Sequence, residues 1–511
     1  MAQHKHIALS ILLVGAVTIA GYATYNKWQQ VSNQKSVSDS AQIRQTLTVG
    51  VDGWVGYFPL CSSELQKRLY LEGIRLDCVN DYGDYASRYQ ALSSGKLDLA
   101  VGTVDSWLLH GQSNQWAASM IAVIDESKGG DALVGWADQV ASLDDLKQGD
   151  SRIALTPNSP SHQLLKSLAV HFDIERLRQD DSWARYTDGS QQALAALQQH
   201  QVAAAVLWEP DVSKALQIDG IKRLIGTEST EGVIVDILLA NRDFASKNPD
   251  ALRTVLNAYF RTLRYYRSQP DTLNKDLQDW TGLKTAQNAE LVRGVGWAGL
   301  QANAERWFGI TDALADIGLV QTIQDTRATL QAFASQDKVN LPDNDPFRLI
   351  YSNPLKQLYS VLQNTGDLAE PGNPTTRFTE LSAAAWQQLE TVGTLKIQPV
   401  SFLNGSHSLT PEGESLLDDA IQTLRHYPSF RLLIAGHTTN QGDADANKAL
   451  SLARAQAVAD YLSSHYQLDS KRLMATGFGG EQPLQRQPGE SLRAWRYRLP
   501  RVELILKRDP I

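Results

Sequence analysis

The chain has 511 residues, of which 42% are hydrophobic and 20% are charged. This length exceeds what a single hydrophobic core serves and predicts two or three domains, while the composition excludes wholesale disorder. The net charge of −8 lacks the basic character that a DNA- or RNA-binding surface requires, so no nucleic-acid partner is expected.

An apolar run lies at the N-terminus. Residues 7–23 contain no ionisable group apart from the phenol of Tyr22, and their number falls within the range of about 17–25 that crosses a bilayer. Lys5 supplies a thin positive flank on the presumed cytoplasmic side. We expect residues 1–25 to form a transmembrane helix in the inner membrane. A cleaved signal peptide is the alternative, and either outcome places the rest of the chain outside the cytoplasm.

Cys61 and Cys78 are the only two cysteines. They bracket a predicted helix and the start of the next strand, so a disulfide is one expectation in an oxidising compartment and two buried thiols are the other. The sequence has no CxxC pair and no cluster of cysteine and histidine with the spacing of metal ligands. No metal or cofactor is therefore expected.

Short apolar runs alternate with helical stretches in the middle of the chain. The predicted strands cover residues 47–51, 75–79, 97–101, 153–156 and 203–207. Strands that alternate with helices indicate βαβ units on a parallel sheet. Ligands of such open sheets lie beyond the carboxyl ends of the strands, so the loops that follow these runs are the expected binding site.

These loops share aromatic and polar side chains that suit a small-molecule cleft. The expected ligand-binding residues are Trp54, Tyr57, Tyr82, Tyr85, Thr103, Asp105, Asp131, Ser159, Ser161 and Glu209. Residues 159–162 precede an apolar helical stretch, and a helix N-terminus there would offer N–H groups to an anionic ligand. Two structural alternatives are core packing of the aromatic rings and an ordinary solvated loop at residues 125–131.

The order of these features resembles the solute-binding proteins of nitrate, sulfonate, taurine and thiamine-precursor importers. The points of likeness are residues 91–100, residues 125–131, and the run of Trp208, Glu209 and Pro210. The resemblance implies a two-lobed periplasmic-binding-protein-like domain over residues 46–335, with a small solute held between lobes that close by hinge motion. The chain lacks Gly-x-Ser-x-Gly, His-Glu-x-x-His and phosphate-cradling motifs, so we expect no enzymatic activity.

Residues 336–384 differ in character from the stretches on either side. Proline and glycine within residues 342–346 and 370–376 interrupt regular structure and mark a boundary. Between them, residues 348–362 carry apolar side chains at helical spacing. We therefore expect a linker with a short helix that docks on a neighbouring domain.

The C-terminal part alternates strands and helices again. A predicted strand at residues 431–435 precedes a helix at residues 450–462, and Asn447, Ser451 and Arg454 share one face of that helix. A guanidinium on this face, beside the loop that follows the strand, can form paired hydrogen bonds to a carboxylate.

Three short patterns in this part resemble the OmpA-like peptidoglycan-binding domain. They are Gly436, His437 and Thr438, then the Leu-Ser-x-x-Arg-Ala pattern of residues 450–455, and finally Arg501, Val502 and Glu503. The resemblance implies an α/β domain at residues 385–511. The peptidoglycan-contacting residues that it implies are Thr439, Asn447, Arg454 and Arg501.

The chain departs from the family at two places in this domain. Thr439 stands where the family has the aspartate that pairs with a ligand ammonium, and Leu499 and Pro500 replace the usual Asn-Arg pair. Asp443 or Asp445 in the same loop could substitute for the missing carboxylate. Weakened peptidoglycan binding is one reading, and a retained scaffold that docks something else is the other.

The sequence as a whole predicts a membrane-anchored periplasmic receptor that binds a small anionic solute and is attached to peptidoglycan. It would serve a transporter or channel protein in the inner membrane. The alternative is a structural envelope linker, or an auxiliary subunit of a membrane complex, in which the solute-binding fold makes protein contacts. A proton-conducting stator is disfavoured because residues 7–23 contain no carboxylate.

Overall fold

The computed structural model describes residues 43–311, 318–333, 339–363 and 378–510. The expected membrane segment at residues 1–25 and the proline- and glycine-rich residues 370–376 lie outside these ranges. Within the described ranges, no helix combines the length and the apolar character that a membrane crossing requires.

The described residues form strands and α-helices that we number separately in chain order. The strands are β1 (Gln45–Val51), β2 (Ile74–Asn80), β3 (Leu99–Thr103), β4 (Ala118–Ser127), β5 (Asp131–Trp136), β6 (Ile153–Leu155), β7 (Ala184–Tyr186), β8 (Ala204–Trp208), β9 (Ile221–Gly226), β10 (Val235–Asn241), β11 (Val295–Trp297), β12 (Glu390–Thr394), β13 (Arg431–His437), β14 (Leu473–Gly477) and β15 (Arg501–Arg508). The helices are α1 (Phe58–Cys61), α2 (Ser63–Leu71), α3 (Tyr85–Ser93), α4 (Val104–Gly111), α5 (Pro160–His171), α6 (Arg176–Gln179), α7 (Ser190–Gln198), α8 (Asp211–Ala215), α9 (Arg242–Lys247), α10 (Pro249–Ser268), α11 (Pro270–Thr281), α12 (Thr285–Arg293), α13 (Leu300–Ala302), α14 (Gly318–Gln331), α15 (Asn353–Gln363), α16 (Ala383–Gln388), α17 (Pro411–Arg425), α18 (Ala444–Tyr466) and α19 (Leu492–Arg498).

The first sheet, which we call lobe 1 together with its helices, has the strand order β2, β1, β3, β10, β4, β11. β1 pairs parallel with β2 and β3, whereas β10 is antiparallel to β3 and β4. Every residue of β3, β4 and β10 is buried. Near-continuous apolar runs in these strands suit a sheet that helices cover on both faces.

The second sheet, which with its helices we call lobe 2, has the order β7, β6, β8, β5, β9. β6 is parallel to β7 and β8, and β5 is antiparallel to β8 and β9. The chain passes between the sheets twice, through residues 128–130 (connector 1) and residues 227–234 (connector 2). Each lobe therefore repeats one strand order, in which the fourth strand arrives from the other lobe. The two-lobed α/β architecture expected from the sequence is confirmed. The expectation of a parallel sheet is wrong, because β10 and β5 enter their sheets antiparallel to their neighbours.

The described residues after α14 continue onto lobe 1. Leu355 and Leu358 of α15 belong to its hydrophobic core, and Ile350 forms a parallel bridge with Met120 of β4. α14 contacts both α4 of lobe 1 and α5 of lobe 2. Residues 339–363 are thus packed against lobe 1 along their described length.

The C-terminal sheet has the order β12, β15, β13, β14, and β13 and β14 run parallel. α18 lies directly on the backbone of these two strands. A Cβ at Gly436 would stand 2.0 Å from the carbonyl oxygen of Ser451, and one at Gly477 would stand 2.4 Å from the amide nitrogen of Leu452. Both positions require glycine because the helix and the sheet approach so closely.

Candidate functional site

Carboxylates and aromatic rings converge where the two lobes meet, at the carboxyl ends of the parallel strands. Trp54, in the loop after β1, reaches connector 1, and a Cβ at Gly130 would lie 2.7 Å from the Trp54 ring. The Trp54 indole Nε1 donates to both carboxylate oxygens of Asp125 at 3.3 Å. The buried Tyr57 hydroxyl donates to Asp236.

Asp125 and Asp236 form a buried carboxyl pair. Antiparallel register places them opposite each other on β4 and β10, and they are 0% and 3% exposed. Burial raises the pKa of Asp125 to about 7, and burial followed by the charge of Asp125 raises the pKa of Asp236 well above its ordinary value. Two carboxyl groups so placed cannot both ionise without cost, so the pair retains a proton near neutral pH.

Asp131 adds a third buried carboxyl from the first residue of β5. It accepts hydrogen bonds from Ser161 at 2.5 Å and from Ser127 at 2.9 Å. Burial raises its pKa to about 6, and the charge of Glu209 acts in the same direction. Ser161 lies in the first turn of α5, where the sequence predicted an anionic ligand. The Asp131 carboxylate of the protein itself lies there instead.

The solvated-loop alternative for residues 125–131 is wrong. Asp125, Glu126, Ser127 and Asp131 are all buried. They are buried because they belong to β4 and β5, which flank connector 1 at the meeting of the two sheets.

A buried arginine balances part of this negative charge. Arg88 of α3 is 1% exposed and pairs with Asp52 at 2.9 Å and with Asp81 at 2.6 Å. Its guanidinium also lies over the ring of Tyr85, 4.8 Å from the centroid. Arg88, Asp125 and Asp236 are not among the ligand-binding residues expected from the sequence.

Asp105 of lobe 1 and Lys166 of lobe 2 interact through their charges. Asp105, in the first turn of α4, is 4% exposed, and burial raises its pKa to about 6. Lys166 of α5 is 3% exposed, and burial lowers its pKa to about 8 while the charge of Asp105 opposes that shift. Thr103 accepts a hydrogen bond from the Ser106 amide at 3.4 Å and caps α4.

Three of the predicted residues have other positions or partners. Tyr82 is 91% exposed and makes no side-chain contact with the carboxyl cluster among the described interactions. Ser159 caps α5 by accepting from the His162 amide at 3.2 Å. Glu209 accepts from the Ser213 hydroxyl at 2.9 Å. Ser159 and Glu209 thus form hydrogen bonds within their own loops and helix ends.

The cluster is acidic overall. Asp52, Asp125, Asp131 and Asp236 contribute four buried carboxyls, and the charges of the first three raise the pKa of Asp236. The cations nearby already have acidic partners, because Arg88 pairs with Asp52 and Asp81 and Lys166 interacts with Asp105. Aromatic rings supply its walls. An arrangement of this kind can stabilise a small organic cation through carboxylates and ring faces.

Cys61 and Cys78 are joined in a disulfide with a Cα–Cα distance of 6.0 Å. The bond ties α1 to β2 within lobe 1. The alternative of two free thiols is wrong.

The expected peptidoglycan-contacting residues gather beyond the carboxyl end of β13. Arg454 donates through Nε to the Ser406 carbonyl at 3.0 Å and lies over the ring of Phe402, and no described interaction takes its two terminal nitrogens. Asn447 donates to the Gln441 carbonyl at 2.8 Å and so holds the loop after β13.

Two other expected contact residues and one proposed substitute already have partners within the protein. Arg501 donates to Glu503 at 2.6 Å, and Thr439 accepts from the Gln441 amide at 3.3 Å. Asp443, a proposed substitute for the missing family aspartate, caps α18 by accepting from the Ala446 amide at 2.7 Å. The Asp443 carboxylate is therefore engaged in capping α18, while the Arg454 guanidinium keeps two nitrogens without a described partner.

Residues 401–495 match the OmpA family. The chain is 32% identical over 85 residues to a peptidoglycan-associated lipoprotein of Rhizobium meliloti, a match that covers 17% of this chain and 48% of that protein. It is 41% identical over 63 residues to the outer membrane protein Omp38 of Acinetobacter baumannii, over 12% of this chain and 18% of that protein. The chain thus spans less than half of the length of these curated relatives.

Solved structures of binding proteins align with the larger part of the chain. The periplasmic aliphatic sulphonate binding protein SsuA of Escherichia coli aligns with 20% identity and a TM-score of 0.46, over 60% of this chain and 98% of that one. The periplasmic nitrate-binding protein NrtA of Synechocystis PCC 6803 aligns with 11% identity and a TM-score of 0.46, over 64% of this chain and 91% of that one.

Proposed function

We propose that this chain, whose residues 401–495 match the OmpA family, is a periplasmic receptor that binds a small solute between its lobes and attaches to peptidoglycan. The observation that carries the proposal is the presence, in one chain, of that segment and of two lobes with repeated strand order joined by two connectors. Ligands of such folds lie between the facing carboxyl ends of the strands. Anchoring by residues 1–25 and delivery to a transporter are parts of the same proposal.

The solute that we propose is a small organic cation, in place of the anion expected from the sequence. Asp125, Asp131 and Asp236 bring buried carboxyls to the inter-lobe cluster, whereas Arg88 forms its ion pairs with Asp52 and Asp81. Buried charges are stable when they are paired, so a ligand ammonium group would supply the missing positive charge. An anionic solute would add to the repulsion.

A thermal-shift panel on the full chain tests the receptor. Putrescine, agmatine and choline should each be compared with ethanesulfonate, nitrate, sulfate and calcium chloride. At least one ammonium compound is expected to raise the melting temperature, because a ligand that binds only the folded state stabilises it. Silence of the whole panel would favour the alternative of a structural envelope linker.

The affinity for a cationic solute is expected to rise between pH 5 and pH 8. The pKa values of Asp131 and Asp125 are raised to about 6 and about 7 by burial, so both carboxyls must release protons to hold a cation. Each proton released should increase affinity by about tenfold per pH unit. Titration calorimetry across this range measures the effect, and an affinity that falls with rising pH would contradict a cationic solute.

Peptidoglycan attachment is expected to depend on Arg454. Arg454→Ala should reduce pull-down by purified sacculi about tenfold, because a charge-assisted pair of hydrogen bonds to a carboxylate is lost. Thr439→Asp should increase pull-down by restoring a partner for a ligand ammonium. Arg493→Ala, at an exposed arginine of α19, is the matched control and should bind like the wild type. Equal pull-down by all four proteins would argue against this site.

A further inference from the structure

The OmpA-family segment, by which we mean residues 401–495 together with the strands β12 and β15 of the same sheet, shares an apolar interface with lobe 2. Phe172, directly after α5, is 0% exposed, and its ring meets that of Tyr427 edge-on at 5.3 Å. A Cβ at Gly393 of β12 would lie 2.8 Å from the Phe172 ring and 3.1 Å from Leu143. One continuous hydrophobic cluster contains residues of both parts. The interface therefore has the packing of a domain core.

Polar contacts surround this apolar interface. Asp144 accepts from the amide and the hydroxyl of Thr394, each at 3.0 Å. Arg508 at the end of β15 donates to the carbonyls of Arg223 at 2.8 Å and Leu224 at 3.0 Å. These bonds fix the segment in orientation as well as in position, since they involve backbone groups on both sides.

The proposed peptidoglycan-binding site around Thr439 and Arg454 lies at the far end of the same sheet. The interface involves residues before β13, such as Tyr427, whereas Thr439 follows the carboxyl end of that strand. A strand of seven residues spans about 20 Å. Peptidoglycan and lobe 2 would therefore meet opposite ends of one rigid sheet.

His426 carries the contact from this segment to connector 2. Its Nδ1 lies 2.6 Å from the Glu231 carbonyl oxygen, and the Glu231 amide donates to the His426 carbonyl at 2.9 Å. The imidazole Nε2 is 3.4 Å from Asp325 of α14, and the ring stacks on His171 at 5.1 Å. One side chain therefore touches lobe 2, connector 2 and the helix that spans both lobes.

We infer that the OmpA-family segment is a fixed extension of lobe 2 that braces connector 2 through His426 and so biases the movement of lobe 1. The inference rests on the proposed function, because lobes that close on a solute must bend at their connectors. His426 is a positioning residue in this account. It lies outside the inter-lobe cluster and acts through the backbone of Glu231.

Hydrogen–deuterium exchange of the full chain tests the brace. His426→Ala should raise the amide exchange rates of residues 228–234 about fivefold, the factor that corresponds to about 1 kcal/mol of lost hydrogen bonding. His465→Ala is the matched control, because His465 also stacks on a ring of this segment, that of Tyr461 at 5.1 Å, but lies on the exposed face of α18. The rates in β13 should stay at the wild-type value in both variants.

Unchanged exchange of residues 228–234 in His426→Ala would overturn the inference. If that variant also raises exchange throughout β13, a second variant, Asp325→Asn, is measured. It weakens the contact between α14 and His426 without altering the OmpA-family segment. Exchange of residues 228–234 that stays at the wild-type rate in Asp325→Asn would then overturn it. The measurement needs no solute, so a silent solute panel would contradict the proposed function and leave the brace to be judged by exchange.

Discussion

Asp125→Asn is expected to stabilise the ligand-free protein at pH 8 by about 1–3 kcal/mol. The same substitution should lower the affinity for a cationic solute at least tenfold. Burial raises the pKa of Asp125 to about 7 from an ordinary 3.8, so between these values the folded state binds more protons than the unfolded state. Stability of the wild type therefore falls as the pH rises through this window. The variant removes that loss because an amide carries no charge.

Thermal unfolding at pH 4 and pH 8 measures this effect. The difference between variant and wild type should be large at pH 8 and nearly absent at pH 4, where the Asp125 carboxyl is protonated in the folded state. Asp250→Asn, at an exposed carboxylate of α10 whose side chain is 84% accessible, is the control and should change stability little. A variant that is less stable than the wild type at pH 8 would contradict the claim that the buried Asp125 charge destabilises the folded state.

Phe172→Ala is expected to destabilise the protein by about 3–5 kcal/mol, the range for truncating a fully buried phenylalanine. The ring fills the interface between lobe 2 and the OmpA-family segment, so its loss should also separate their unfolding. Calorimetry should show one shared transition for these two parts in the wild type and two transitions in the variant.

Phe347→Ala supplies the comparison for this prediction. Phe347 is 55% exposed on the described residues that follow α14, so its truncation should cost less than about 1 kcal/mol. If Phe172→Ala leaves a single transition with a stability near that of the wild type, the shared core is not what holds the two parts together.

Much of the architecture could be predicted from apolar runs. The strands predicted at residues 47–51, 75–79 and 431–435 correspond to β1, β2 and β13, because runs of this type, bounded by turn residues, have few other solutions. The antiparallel strands that enter each sheet from the other lobe could not be placed. Their position depends on pairing between distant segments, which a local pattern does not contain.

The candidate site was predicted in part for the same reason. Trp54, Tyr57, Asp105, Asp131 and Ser161 follow strands or begin helices, and these places mark binding loops in open sheets. Asp236 stands inside an apolar strand run, and only the register of β10 against β4 brings it beside Asp125. Because of this pairing, we propose a cationic solute where the sequence predicts an anionic one.

The interface between lobe 2 and the C-terminal segment left no readable signal in the sequence. Phe172, Tyr427 and Gly393 each fit an ordinary core or turn position in their own segment. Their contact follows from the way two folded surfaces meet. Such docking depends on shape, so periodicity and composition could not reveal it.

Native mass spectrometry of the protein purified from its own cell envelope tests the central claim most directly. The account predicts a retained small molecule that is a cation at neutral pH and that is lost from the Asp125→Asn, Asp236→Asn double variant. A retained molecule that is an anion at neutral pH, or one that the double variant keeps at the same occupancy, would contradict a cation-binding cleft between the lobes.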